Sequence, residues 1–119
     1  MLLRFKAYGV DHGGFFAPLT QKPVCTYYAF AAYGRLYALG TQAEAVVECD
    51  KEGFYAVSAT DGKRNALMIC NRTGETQELC IEGADLTNAR FYVLDNLHLL
   101  SMAFDTEQIE NDTVMLIEW

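Results

Sequence analysis

The chain holds two histidines, four cysteines and 16 carboxylates, the side chains from which most acid–base, nucleophilic and metal chemistry is built. His12 follows Asp11 at the head of a Gly-rich loop, Asp11-His-Gly-Gly-Phe-Phe-Ala-Pro, and the two together have the chemistry of a general acid–base couple. A small enzyme resting on them would need a positioned third group, and the sequence offers none; a solvated loop pair is the plainer reading. His98 follows a tight turn and reads as structural. Ser58 and Ser101 lack a G-x-S-x-G elbow and a local histidine. The acids Glu44, Glu48, Asp50, Glu52, Glu75, Glu78, Glu82 and Asp85 fall in turns or on polar strand positions, where solvated surface is their usual role. Asp11-His-Gly-Gly lacks the lysine and spacing of a phosphate loop. No catalytic residue is assigned.

Cys25, Cys49, Cys70 and Cys80 have no C-x-x-C spacing and no nearby histidine, so neither a metal site nor a cofactor is expected and buried free thiols are. If residues 66–71 and 77–82 form a hairpin through Arg72–Glu75, Cys70 and Cys80 come close enough for an oxidising compartment to join them. Asn71-Arg-Thr is a glycan acceptor pattern only in a secreted protein. Tyr27, Phe30, Tyr33 and Tyr37 lie on one long apolar segment. They are candidates for a docking or self-association surface, and Tyr33 with Trp119 for stacking on a sugar ring, against burial as the plain use of aromatics. A net charge of −7 with no basic cluster argues against a nucleic-acid partner. The apolar runs are too short for a bilayer span, and the start has no signal-like core. A cytoplasmic protein without membrane contact is expected.

At 119 residues, 51% apolar and 13% aromatic, the chain can bury a real core. Residues 20–40 must hold the aromatic group. Thr20 caps, Pro23 fits the first turn and Gly40 stops a helix whose only charge between Pro23 and Gly40 is Arg35. Apolar residues spread round most of its circumference, which calls for cover on more than one side. Residues 2–10 alternate as a strand and 11–23 form a loop. After Gly40 the pattern changes to period two, with turn pairs at Glu52-Gly53, Asp61-Gly62, Thr73-Gly74, Glu82-Gly83, Asp95-Asn96 and Asn111-Asp112. These bound strands at 45–50, 54–60, 66–71, 77–82, 90–94, 97–104 and 113–119. The expected fold is mainly β, a small antiparallel β-sandwich of about seven strands behind a strand-loop-helix segment. Residues 1–40 and 41–119 form its two parts. Tyr55, Val57, Ala59, Leu67 and Ile69 are expected on one face of the core, joined by Leu79, Ile81, Phe91, Val93, Val114 and Leu116. Strands 54–59 and 66–70 are apolar on both faces, so the helix should cover their outer side.

The helix Lys22-Pro-Val-x-x-Tyr-Tyr-Ala-Phe…Leu-Tyr-x-Leu-Gly40 precedes Tyr55-Ala-Val-Ser-Ala-Thr-Asp-Gly62, Ala66-Leu-Met-Ile-Cys-Asn-Arg-Thr-Gly74, Ala89-Arg-Phe-Tyr-Val-Leu-Asp95 and Val114-Met-Leu-Ile-Glu118. In that order they resemble the C-terminal end of retaining glycoside hydrolases of the β-xylosidase and α-L-arabinofuranosidase kind. The resemblance implies that residues 2–10 and 23–39 correspond to the last strand and helix of a (β/α)8 barrel, and residues 41–119 to the β-sandwich packed against it. Retaining hydrolysis needs two carboxylates about 5 Å apart on one scaffold, and no position here matches either motif. The resemblance therefore implies a non-catalytic accessory domain that supports a barrel or mediates association through the Pro23–Leu39 helix. A stand-alone carbohydrate-binding module taking an oligosaccharide is the alternative.

Overall fold

The computed structural model describes residues 25–103 and 107–119. The expected strand at 2–10, the loop with Asp11 and His12, and the Thr20 and Pro23 end of the helix lie outside the described residues.

Among the described residues one helix, α1 (Cys25–Tyr37), precedes eight strands: β1 (Thr41–Ala43), β2 (Phe54–Thr60), β3 (Asn65–Asn71), β4 (Gln77–Glu78), β5 (Arg90–Leu94), β6 (Leu99–Ala103), β7 (Gln108–Ile109) and β8 (Thr113–Glu118). Six form one antiparallel sheet in the order β1-β2-β3-β8-β5-β6, and β4 pairs with β7 in a separate two-stranded ribbon. The architecture is the expected mainly β, small antiparallel sandwich, with one large layer and one small one.

The helix ends as its sequence requires. Ala38 N–H donates to Gly34 O at 2.9 Å, the last two bonds tighten to Leu39→Leu36 and Gly40→Tyr37, and Gly40 takes φ +88°. That conformation is open to glycine without strain. α1 lies across β2, β3, β5 and β6. It buries Ala32 and Leu36 in one cluster with Val57, Ala59, Ala66, Met68 and Leu116, so residues on both sides of position 40 share a core. The opposite sheet face carries a second cluster, Ile69, Ile109, Met115 and Ile117, with Leu79, Ile81, Phe91, Val93 and Trp119 against it.

Three sequence expectations change. First, 66–71 and 77–82 do not form a hairpin. β3 pairs with β2 and β8, Asn71 standing opposite Thr113, while β4 pairs with β7. β8 is buried on both faces, so it needs a central place with neighbours on each side, and it takes the position beside β3. Second, the expected core list divides between the two faces. Val57 is opposite Met68 and Ala59 opposite Ala66, which places Leu67 and Ile69 on the other side from Val57. Third, residues 45–50 are irregular, and pairing at that edge is confined to β1.

The turns hold. Asp61 Oδ1 accepts from Lys63 N–H at 2.9 Å and Arg64 N–H at 2.7 Å, and Asp95 Oδ1 accepts from Leu97 and His98 N–H at 2.7 Å each. These are side-chain-closed turns. The second one pushes the start of β6 from 97 to 99. The register of β5 and β6 steps at Val93/Leu94, leaving Leu100 as a bulge at φ 57° whose side chain packs on the helix-side cluster.

Candidate functional site

Arg35 determines what the outside of α1 presents. Its guanidinium turns toward the sheet, 3.5 Å from Glu118 of β8 and 4.8 Å above the ring centroid of Tyr92 on β5, a cation–π contact that ties helix to sheet. The only charge on α1 is thereby drawn off its outer surface. At about 100° per residue, Tyr27, Phe30, Gly34 and Tyr37 fall within roughly one third of the circumference, opposite Ala32 and Leu36. Tyr27 is 58%, Phe30 36% and Tyr37 82% exposed, and a Cβ placed on Gly34 would meet nothing within 4 Å. The Tyr27 ring is held edge-on against Tyr28, centroids 5.3 Å apart. The result is an uncharged aromatic stripe with a shallow dip at Gly34. Tyr33 does not belong to it; that side chain packs against the helix-side core.

The remaining candidates are dispersed. Tyr33 and Trp119 pack against clusters on opposite faces of the sheet, so they do not form one stacking platform. Ser58 is buried and donates to Glu44 O at 3.4 Å. His98 Nδ1 sits 2.9 Å from both Asp95 carboxylate oxygens on an exposed turn that both residues close. Cys70 stands opposite Tyr55 and Val114, where burial raises its thiol pKa, and Cys80 is exposed in the segment after β4. Without the hairpin the two are not neighbours, and Cys49, Cys70 and Cys80 are free thiols. Asn71 is fully buried and its amide donates to Glu75 O at 2.8 Å and Ile109 O at 2.9 Å, so no glycan fits there in the folded protein. Among the described residues no group of three His, Cys, Asp or Glu side chains is placed to hold a metal ion, and no helix is long and apolar enough to cross a membrane.

The fold is shared with part of two xylanases. A GH30 endoxylanase from Clostridium papyrosolvens superposes with a TM-score of 0.63 at 10% identity over 79% of this chain and 27% of that one. The glycoside hydrolase family 30 subfamily 8 xylanase from Clostridium acetobutylicum gives 0.64 at 10% identity over 92% of this chain and 31% of that one. The chain thus spans less than a third of the length of either enzyme, and at this identity the likeness is one of fold. No protein-family model and no curated protein matches the sequence. The structural neighbours are glycoside hydrolases, the broad class that the motifs in the sequence resemble.

The stripe was partly visible in sequence, since 27, 30, 34 and 37 follow helical spacing. The partners of Arg35 were not visible, because Glu118 and Tyr92 are both distant along the chain.

Proposed function

We propose that this chain is a non-catalytic accessory domain of a glycoside-hydrolase-like protein, which braces a (β/α)8 barrel through the outer face of α1. The observation that carries the reading is the charge-free stripe Tyr27, Phe30, Gly34 and Tyr37, left exposed on a helix whose other side is already seated on the sheet. An aromatic face of that kind is what a docked body covers. The fold, present as a fraction of two larger xylanases, supports it. So does the resemblance of the helix and strand motifs to the β-xylosidase and α-L-arabinofuranosidase kind, which implies that α1 is the last helix of a barrel. On this reading the parent protein acts on xylose- or arabinose-containing glycans, and the domain works in the cytoplasm, where Cys49, Cys70 and Cys80 stay reduced.

Two assays test it. The purified chain should release no 4-nitrophenol from aryl xylosides or arabinofuranosides; turnover by the chain alone contradicts a non-catalytic role. The folded chain should also bind anilinonaphthalene sulfonate, with Tyr27→Glu plus Tyr37→Glu removing most of the signal and leaving the far-UV spectrum unchanged. Equal dye binding by the variant contradicts the docking face.

A further inference from the structure

On the sheet face away from α1, two irregular segments, residues 44–50 and 79–85, flank a cleft of about 1110 Å³. That is larger than most small-molecule pockets, ~300–1,000 Å³. Its floor is apolar, made of Phe54, Ala56, Leu67 and Ile69 from β2 and β3; all but Ile69 are only half-buried. The ribbon β4–β7 packs on the β8 side of this face, and on the β2 side Phe54, Ala56 and Leu67 pack against the second core cluster yet stay half-buried. Ladder pairing stops at Ala43 on one wall and Glu78 on the other. Leu79 N–H still donates to Glu107 O at 2.8 Å; beyond it Cys80-Ile-Glu82, and on the other wall Ala45-Val-Val-Glu-Cys49, keep the composition of strands outside the ladders, and Val46 is 77% exposed.

The rim has one sign of charge. Glu44, Glu48, Asp50, Glu78, Glu82 and Asp85 line the cleft, and no Lys, Arg or His among the described residues does. None of these six enters a salt bridge among the described residues. Carboxylates crowded round a concave, low-dielectric floor focus a negative potential into it, and such a field selects a cationic occupant.

We propose that the cleft is a docking slot for an extended segment of a partner protein in which apolar and basic side chains alternate. The period of two sends one set of side chains to the Phe54–Ile69 floor and the other to the carboxylate rim. The segment's backbone pairs along Ala45–Cys49, where the chain leaves the sheet edge after β1 and borders the cleft, Glu44 O accepting from Ser58 Oγ. Five residues of the segment, ~17 Å when extended at ~3.3 Å per residue, match Ala45–Cys49. This inference is independent of the α1 face, which lies on the other side of the sheet.

Trp119, the only tryptophan in the chain, lines the cleft and reports on it. The test titrates an acetylated, amidated octapeptide of alternating lysine and valine into the full chain and reads tryptophan emission. The expected result is a saturable change with a dissociation constant of ~10–100 μM, weakened about tenfold by Glu48→Gln plus Glu82→Gln and by ~0.5 M salt. Both substitutions are at exposed positions and should leave the far-UV spectrum unchanged. The proposal is overturned by a flat titration, by equal binding of a glutamate–valine octapeptide, or by an undiminished response in the double variant. Spermidine producing the same change would mean a diffuse field and no slot, and xylo-oligosaccharide acting in place of the peptide would mean a sugar site; either result overturns it.

Discussion

Asn71 shows how one buried polar side chain can hold several turns together. Besides its two donated bonds, its Oδ1 accepts from Thr73 N–H at 3.1 Å and Thr73 Oγ1 at 2.8 Å, so all of its strong hydrogen-bonding capacity is used inside the protein. Replacing it with leucine removes a donor from Ile109 O, leaves Glu75 O with Thr73 Oγ1 at 3.2 Å, and takes the acceptor from Thr73 N–H. Asn71→Leu should cost ~3 kcal/mol, at the usual 1–3 kcal/mol per orphaned buried group, read as a lower urea midpoint. Gly53 is fixed by the same corner: it sits at φ +98°, where a Cβ would lie 2.4 Å from Arg72 O. Asp61 gives a pH prediction. The backbone N–H groups of Arg64 and Lys63, then the Arg64 guanidinium, hold its carboxyl down to about 2, against an unfolded value of ~3.9. A carboxyl depressed in the folded state contributes stability that is present above the unfolded pKa and is lost as pH falls through the folded one. The stability gap between the wild-type protein and Asp61→Asn should therefore be constant above about pH 5 and close between about pH 4 and 2. A gap independent of pH down to 2 would show that the turn does not depend on the charge.

The elements depend on where β8 goes. Thr113–Glu118 pairs with β3 on one side and β5 on the other, so the last strand to emerge is central to the sheet. Helix α1 closes one face by inserting Leu36, 3% exposed, beside Ala32. Leu36→Ala should destabilise by ~2–5 kcal/mol, the range for a buried leucine that leaves a cavity. Little change in melting temperature would mean that α1 is only loosely seated. Much of this arrangement was legible in the sequence. β2 and β5 have the bounds that alternation and turn residues predict, because Asp61-Gly62 and Asp95-Asn96 close turns by local bonds alone. The partner of β3 was not legible. Arg72-Thr-Gly-Glu75 has hairpin residues, but its Gly74 N–H donates to Asn111 Oδ1 at 2.8 Å and Arg72 Nε to Asp112 Oδ1 at 3.2 Å, a tie between two turns far apart in sequence. Nor could alternation decide which face Val57 or Ile69 occupies, since both faces of β2 and β3 are apolar. Of the site, the helix aromatics were legible and the cleft was not, because its walls read as strands 45–50 and 77–82 that the fold leaves largely unpaired.

At the scale of the whole molecule, the sheet has two coverings of unequal completeness. One face is closed by α1, which turns an uncharged aromatic stripe outward. The other is half closed by a short ribbon and leaves an acidic cleft. Both surfaces are expected of a domain that works against other protein bodies, and the first is central to the proposed accessory role. Without a barrel, the stripe should find a second copy of itself. Sedimentation velocity over a concentration series reads this directly. The wild-type chain should shift from monomer toward dimer as concentration rises, and Tyr27→Glu plus Tyr37→Glu should remain monomeric throughout. Tyr33 is left unchanged because it belongs to the core. A wild-type chain that stays monomeric at every concentration, or a variant that associates as well as the wild type, would contradict α1 as a docking face.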